Sequence, residues 1–482
     1  MLITKATFLN YLQCPTLSWF QIREPEVELT PGEELRILEG KELGALARQV
    51  FENGVLVESY NNEEAACITA QHLSDKNVGA IFETTFIHEG FIAKADILIR
   101  DEDKWNLIEV KSSLHKEDIE EDHLNDIGYT TFVLSEAKIN LNKIEIMRIS
   151  KEWRLGKSVS SLFKLKDCKD EATSRASLFA GLSPQIKENI FATDKPKPEL
   201  QKFCKKCDYF STKCIGQGVN HSILEIPFIT DVKTKDLYSQ GVLEIRDIPE
   251  GYKLTDNQKR VVDCIKYNEP ILEKNILREL LSQITWPCYY LDFETAKTAI
   301  PFWEDIAPHE QILTQYSLHI ADSLDAEPRH QEYLAPHTSD SRRELAEHLL
   351  ERLGDTGSII VYSSFEKTQL SSLAKRFPDL SIQLMKCIER IFDLEDVFKS
   401  AYIHPNFCGQ TSIKKTLPAL VPELSYKNLE IGGGDAAIAA FVKMAKGLCS
   451  PNDIEIFRKA LLTYCHLDTL AMVKLHQVVS QL

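Results

Sequence analysis

At 482 residues the chain is too long for one ordinary hydrophobic core, and it predicts roughly two to four domains. Its composition, 43% hydrophobic and 27% charged, is that of a globular protein without low-complexity tracts, and no apolar run approaches the ~20 residues that a bilayer span requires. A formal net charge of −16 argues against a protein that coats nucleic acid by bulk electrostatics, but not against an enzyme whose acidic residues hold divalent metals.

The first residues, Met1-Leu2-Ile3-Thr4-Lys5, lack a basic segment followed by an apolar core. No secretory signal is therefore expected, and the expected location is the cytoplasm. In that reducing compartment the 12 cysteines should remain thiols, and clustered ones read as metal ligands. Cys14, in Leu12-Gln13-Cys14-Pro15, stands alone near the start.

No internal repeat is evident, and the chain divides by texture into three parts: 1–220, a connector or small helical subdomain over 221–285, and 286–482. In the first part, apolar residues at helical spacing predict a helix over Leu35 to Phe51. Strands are predicted over Ala80 to Ile87, Phe91 to Arg100 and Trp105 to Lys111, the last two joined by a turn at Asp101-Glu102-Asp103-Lys104. Such a hairpin sets Asp96 near Glu109. Glu109 and Lys111, two apart on a strand, project from one face. Two carboxylates able to fix a divalent metal, with a lysine to steady a water or a developing charge, are the equipment of phosphodiester hydrolysis.

This arrangement resembles the PD-(D/E)XK nuclease superfamily, in its RecB-like branch. The resemblance implies Asp96, Glu109 and Lys111 as the catalytic set, with the backbone carbonyl of Val110 as a further metal ligand. The branch usually carries a Gln-x-x-x-Tyr helix motif after the lysine strand; the matching stretch here is Asp126-Ile127-Gly128-Tyr129-Thr130, without the glutamine.

Further along, Cys204-Lys205-Lys206-Cys207 is followed by Cys214. A C-x-x-C alone suits a redox pair or half of a zinc site. One cysteine before a RecB-like core and three after it is similar to the iron–sulfur nucleases of that branch. The resemblance implies that Cys14, Cys204, Cys207 and Cys214 hold a [4Fe–4S] cluster that staples the ends of the domain, with zinc as the alternative occupant. Cys67, Cys168, Cys288 and Cys465 read as packing residues.

The third part opens at Pro287-Cys288-Tyr289-Tyr290-Leu291 and alternates strands (Ser358 to Val361) with helices (Ser341 to Leu353, Phe457 to Gln481), the pattern of an α/β layer fold. Asp292 and Glu294 end the opening apolar run on one strand face. Tyr464 and Asp468, four apart on the last helix, are surface neighbours. A strand-borne Asp-x-Glu with a helix-borne Tyr-x-x-x-Asp resembles the DEDD exonucleases of the ribonuclease H-like fold. That resemblance implies two Mg²⁺ or Mn²⁺ ions held chiefly by Asp292, Glu294 and Asp468, with Tyr464 orienting the nucleophilic water. For the middle motif, Glu366 in Ser363-Ser364-Phe365-Glu366 stands where the family has Asp, and Asp393 is the other candidate.

The order of the parts is similar to bacterial proteins in which a RecB-like iron–sulfur nuclease domain is fused to a ribonuclease H-like one. The phrases Tyr402 to Phe407, Ser412 to Pro418 and Gly432 to Ala436 look like parts of the same signature. Lys414 and Lys415 are candidate phosphate contacts or simply solvated lysines, and the glycine run lacks the Lys-Ser/Thr of a P-loop. The resemblance implies a metal-dependent nuclease, a 3′ to 5′ DNA exonuclease of repair, recombination or defence. It would act on DNA in preference to RNA, with a helicase or other repair or defence protein as partner and no membrane. An RNA exonuclease and a nucleic-acid-binding scaffold with decayed sites are the alternatives.

Overall fold

A computed structural model describes residues 2–24, 28–427 and 429–482. The protein is mixed α/β and divides into two compact units, one of residues 1–199 with 298–310 and the other of residues 200–297 with 311–482. The expected boundary near 220 and the connector over 221–285 both fall inside the second unit. Among the described residues no helix is long and apolar enough to cross a membrane.

The first unit is built on a six-stranded sheet in chain order: β1 (Gly54–Leu56), β2 (Ala80–His88), β3 (Phe91–Asp101), β4 (Lys104–Leu114), β5 (Leu141–Ile149) and β6 (Phe163–Asp167). β1 with β2 and β4 with β5 are parallel; the other pairs are antiparallel. Its helices are α1 (Lys5–Gln13), α2 (Pro15–Gln21), α3 (Pro31–Arg48), α4 (Asn62–Ser74), α5 (Glu121–Glu136) and α6 (Lys169–Phe191). α3 begins ahead of the periodic run at Leu35 because Thr30 and Glu33 form a reciprocal capping box with Pro31 at the first helical position.

One sheet face packs Phe91, Ala93 and Leu107 against Ile127, Phe132 and Val133 of α5 and Phe179 of α6. The other packs Phe82, Ile97 and Ile108 on Ala47 of α3. Strand alternation does not run unbroken through β2 and β3. In β3, Ala93 and Ala95 face α5, but so does Leu98, while Ile97 faces α3. The same switch occurs in β2, between Phe82 on the α3 side and Phe86 on the α5 side. The break lies at Asp96 and at Glu83, which is held at φ +54°. Such irregularities re-aim side chains, and this one falls at the predicted carboxylate.

The second unit holds a five-stranded sheet in the order β10-β9-β8-β11-β12. Its strands are β8 (Cys288–Ala296), β9 (Ile312–Ala321), β10 (Arg329–Leu334), β11 (Ser358–Val361) and β12 (Ile391–Asp393); β7 (Ile271–Leu272) and β13 (Tyr402–Ile403) form a separate two-stranded ribbon. β8, β9 and β10 are antiparallel neighbours, whereas β11 and β12 run parallel to β8. Short helices α7 (Phe210–Lys213), α8 (Asp231–Ser239), α9 (Asp256–Tyr267) and α10 (Lys274–Leu281) precede the sheet. Then follow α11 (Arg342–Arg352), α12 (Phe365–Arg376), α13 (Ser381–Glu389), α14 (Glu395–Ser400), α15 (Ile413–Leu420), α16 (Gly434–Ala445) and α17 (Pro451–Ser480).

β8 is the central strand and is covered on both faces. Tyr289, Leu291 and Phe293 pack on α11, α12 and α13 through Leu345, Leu349, Leu370 and Leu384. Cys288 and Tyr290 pack on the opposite side with Met472 and Leu475 of α17. Period-two alternation therefore sends Asp292 and Glu294, the next two members of the second set, toward α17.

In the first unit the buried Tyr129 hydroxyl donates to the carbonyls of Ile3 (2.8 Å) and Ile92 (3.1 Å), tying the start of the chain to β3. Tyr129→Phe should lower stability by about 0.5–1.5 kcal/mol, the usual worth of one such bond. In urea unfolding this would appear as a lower midpoint at an unchanged slope; an unchanged midpoint would show that the tie contributes nothing.

Candidate functional site

In the second unit, ligand-capable oxygens of Asp292, Glu294 and Asp468 lie within 4.8 Å of one another. Two come from β8 and one from α17, whose stripe of Tyr464, Cys465, Asp468 and Met472 is buried. Glu366 joins them electrostatically from the first turn of α12 and is itself 3% exposed. Burial pushes all four carboxyls up, and neighbouring carboxylates add to it for Asp292, Glu294 and Glu366. Asp292 is raised well above the usual range by burial and then by Asp468, Glu366 and Glu294. Glu294 rises to about 8, Glu366 to about 7 and Asp468 to about 6, burial leading in each.

Neighbouring donors hold these groups. The Tyr426 hydroxyl donates to Asp468 Oδ1 at 2.6 Å, Tyr464 hydrogen-bonds the same carboxylate, and the Cys465 thiol donates to Asp292 Oδ2 at 3.3 Å. Lys414, the nearby cation, lies 5.7 Å from the Tyr464 ring and 5.9 Å from the Tyr426 ring, and pulls Glu294 and Asp468 downward. Its Nζ donates to Gly432 O at 3.0 Å, and a Cβ on Gly433 would come within 2.8 Å of it. The glycine run thus gives Lys414 room. Lys415 lies instead within electrostatic range of Lys205 and Cys408.

Asp393 stands behind this group. It receives the Glu395 N–H at 3.0 Å, lies 3.9 Å from Lys399, and acts on Glu366 but is not among the charges acting on Asp292 or Glu294. Glu366 acts electrostatically on Asp292 and Glu294, while the ligand oxygens within 4.8 Å of one another are those of Asp292, Glu294 and Asp468.

In the first unit, Asp96 Oδ2 accepts the Val110 N–H at 2.7 Å, and Lys111 Nζ lies 3.1 Å from Glu109 Oε1. Two residues outside the predicted set complete the group. Lys5, at the start of α1, contacts Glu109 Oε1 at 2.6 Å and Asp126 at 3.2 Å, and Asp126 of α5 also pairs with Lys111. Burial pushes Asp96 up to about 7, reinforced by Glu109; for Glu109, burial is outweighed by Lys111 and Lys5, and the group is lowered. Glu109 Oε2 is buried and has no hydrogen-bond partner. That orphan oxygen and the neighbouring Asp96 fit a cation. The stretch without a glutamine therefore contributes Asp126 to the site, and Tyr129 as a structural tie.

Cys204 lies in the short 3₁₀ turn Lys202–Lys206 and Cys207 caps it, its N–H on Cys204 O at 3.2 Å; Cys214 follows α7. The Gln201 N–H points to Cys204 Sγ at 3.4 Å, a donor suited to a thiolate. Cys14 caps the α1–α2 junction in the first unit, where Thr16 donates to Pro196 O at 3.0 Å. Of the cysteines read as packing residues, Cys168, Cys288 and Cys465 are buried, but Cys67 is exposed, because it falls on the solvent face of α4. Cys465 also bonds Asp292, a role its apolar surroundings did not announce.

Lys5, Asp126, Tyr426 and Cys465 escaped the sequence reading. Lys5 and Tyr426 are distant in sequence from the carboxylates they serve, whereas Asp126 and Cys465 lie within stretches already singled out, where their residue types did not announce these contacts.

The family described as "Domain of unknown function (DUF2779)" matches residues 289–412, which include Asp292, Glu294 and Glu366 but end before α17. The chain is 28% identical over 205 residues to "Uncharacterized protein MG366 homolog" of Mycoplasma pneumoniae, covering 38% of this chain and 31% of that protein. It is 21% identical over 569 residues to "Uncharacterized protein UU173" of Ureaplasma parvum serovar 3, covering 90% of this chain and 82% of that protein. "Uncharacterized protein MG366" of Mycoplasma genitalium is 24% identical over 206 residues, again covering 31% of its own length. The chain thus spans about a third of the two MG366 proteins and most of UU173.

The carboxylate cluster makes a signed pH prediction. Groups raised from the ordinary value near 4 to between about 6 and 8 keep protons in the folded state that the unfolded chain has released. Metal-free protein should therefore lose stability as pH rises from about 4 to 8. Asp292→Asn should relieve the repulsion and raise the melting temperature at pH 8 by a few degrees, corresponding to about 1–2 kcal/mol. Differential scanning calorimetry across pH tests this; a variant that melts lower with the same pH slope would refute the repulsion.

Proposed function

We propose that the protein is a metal-dependent nuclease, a 3′ to 5′ DNA exonuclease whose principal active site is the Asp292–Glu294–Glu366–Asp468 cluster. The observation that carries this reading is the convergence of four carboxylates, two half-buried on a central strand and two buried on helices, with ligand oxygens of three of them within 4.8 Å. Such a group is costly to leave ionised unless cations occupy it. The strand order β10-β9-β8-β11-β12, with an acidic β8 at the centre, supports a ribonuclease H-like reading of the second unit. The sheet of the first unit, with Asp96, Glu109 and Lys111 at one site, supports a PD-(D/E)XK reading.

Mg²⁺ or Mn²⁺ held by Asp292, Glu294, Glu366 and Asp468 would supply an activated hydroxide and neutralise a phosphodiester. The residues themselves do the rest. Tyr426 and Tyr464 fix the Asp468 carboxylate, Cys465 fixes Asp292, and Lys414 places a positive charge at the rim, where a phosphate would approach. DNA or RNA would be the partner, and any strand separation would fall to a helicase or similar protein.

In the first unit, Lys5 and Lys111 already neutralise much of the carboxylate charge. That favours a smaller catalytic share for Asp96 and Glu109 there, or a binding role.

End-labelled single- and double-stranded DNA and RNA, incubated with Mg²⁺, Mn²⁺ or EDTA, provide the test. Asp292→Ala should lose several orders of magnitude in rate and Tyr464→Phe less, since the Tyr426 bond to Asp468 remains. Glu366→Ala should be severely impaired and Asp393→Ala much less so. Full activity in Asp292→Ala would move the enzyme site to Asp96, Glu109 and Lys111, and the double variant Asp292→Ala/Asp96→Ala would decide whether any site exists.

We also propose that Cys14, Cys204, Cys207 and Cys214 hold a [4Fe–4S] cluster, a reading that the Gln201 N–H aimed at Cys204 Sγ supports. Bound, such a cluster acts as a cross-link whose ligation energy adds to folding. Anaerobically purified protein should be brown and contain iron and sulfide, and Cys204→Ser should bleach it and lower the melting temperature. Colourless protein with stoichiometric zinc would overturn the cluster and retain the thiolate site.

A further inference from the structure

A second cluster of ligating side chains lies in the same unit, built by different residues from the carboxylate group. His319 of β9 and His330 of β10 are directly paired across the sheet, and His466 of α17 closes over them. One ring nitrogen of each lies within 4.8 Å of the other two, and the ring centroids are 4.4–4.8 Å apart. We propose that His319, His330 and His466 form a transition-metal site of zinc type, with its fourth position filled by water.

The surrounding hydrogen bonds prepare the rings for this. When the Thr469 hydroxyl donates back to His466 O (3.1 Å), its oxygen accepts from His319 Nδ1 (2.8 Å) and from the Ser317 hydroxyl (2.7 Å). The Ser317 oxygen in turn accepts from His330 Nε2 (2.9 Å). Both rings are then fixed in the tautomer that leaves the other nitrogen with a free lone pair, the arrangement that outer hydrogen-bond partners impose on metal-binding histidines.

His319 is buried and His330 half-buried. Glu332 lies two residues from His330 on edge strand β10, 4.0 Å from His330 Nε2, and within electrostatic range of His466.

Three imidazoles with a water suit Zn²⁺, at about 2.0–2.1 Å from nitrogen, better than the oxygen-seeking Mg²⁺. An ion here would clamp α17, the helix that carries Asp468, to β9 and β10. This inference does not depend on the nuclease reading.

The test is metal binding by the full chain. Chelator-treated protein is titrated with Co²⁺ and with Zn²⁺, comparing wild type with His330→Ala, a substitution on a half-exposed edge-strand residue that should leave the fold intact by circular dichroism. Wild type should bind one more equivalent of Co²⁺ than the variant. The difference spectrum should show tetrahedral d–d bands without thiolate charge transfer, which separates this site from the cysteines. Equal stoichiometry and identical spectra would overturn the proposal. Zinc-edge anomalous diffraction from wild-type crystals needs no variant: a peak among the three rings supports the site, and a peak only at the carboxylates or cysteines refutes it.

Discussion

Repulsion among four carboxyl groups at the end of one buried strand is the constraint around which the second unit is arranged. Asp292 and Glu294 occupy positions on β8 that alternation assigns to the interior face, and the strand is covered on both sides, so water cannot solvate them fully. Asp468 and Glu366 are then brought in from helices. The chain answers with donors rather than with strong counter-charges: two tyrosine hydroxyls on Asp468, a thiol on Asp292, Ser363 at 3.4 Å from Glu366, and one lysine at the rim. These do not cancel the cost, since all four carboxyls stay above the ordinary range. Neutral donors fix the direction of a carboxylate while leaving its charge available to a cation.

The first unit treats the same chemistry differently. There Lys111 and Lys5 reach Glu109 directly, both also pair with Asp126, and Glu109 is held below its usual range although fully enclosed. A buried carboxylate satisfied by two ammonium groups has less to gain from a metal, because part of the desolvation cost is already offset. Asp96 is less well compensated: burial and Glu109 push it up to about 7 against the Val110 N–H and the charges of Lys111 and Lys5. A cation would have to draw on Asp96 and on the orphaned Glu109 Oε2.

Much of this was legible in the sequence because period carries direction. Ser358 to Val361 is a strand with the expected bounds, and the β3–β4 hairpin turns at the expected Asp101–Lys104. Asp-x-Glu after an apolar run and Tyr-x-x-x-Asp on a helix state, by spacing alone, that each pair shares a face. What spacing does not state is which distant side chain completes a site. Lys5 is 104 residues from Glu109, and Tyr426 is 42 from Asp468. The break in alternation at Asp96 and Glu83 was equally hidden, since a side chain re-aimed by a backbone irregularity leaves the residue pattern unchanged. The course of the chain was hidden too: residues 298–310 leave β8 and pack Ala299 and Ile300 on Leu43 and Trp153 of the first unit, and four apolar or small residues do not announce which core they will join.

α17 shows how one helix contributes to two different side-chain clusters. Successive residues turn by about 100°, so Tyr464, Cys465 and Asp468 share one stripe, and His466 with Thr469 share the adjoining one. The first stripe meets Asp292; the second meets Ser317, His319 and His330 on β9 and β10. Because the backbone between 464 and 469 is regular helix, a shift that moved His466 relative to the sheet would carry Asp468 with it. The polar contacts of the second stripe therefore set the height and rotation at which Asp468 faces the carboxylates of β8. Thr469 is central to that registration: its hydroxyl meets both a strand serine and a strand histidine, so sliding the helix by one residue would break both strand contacts at once.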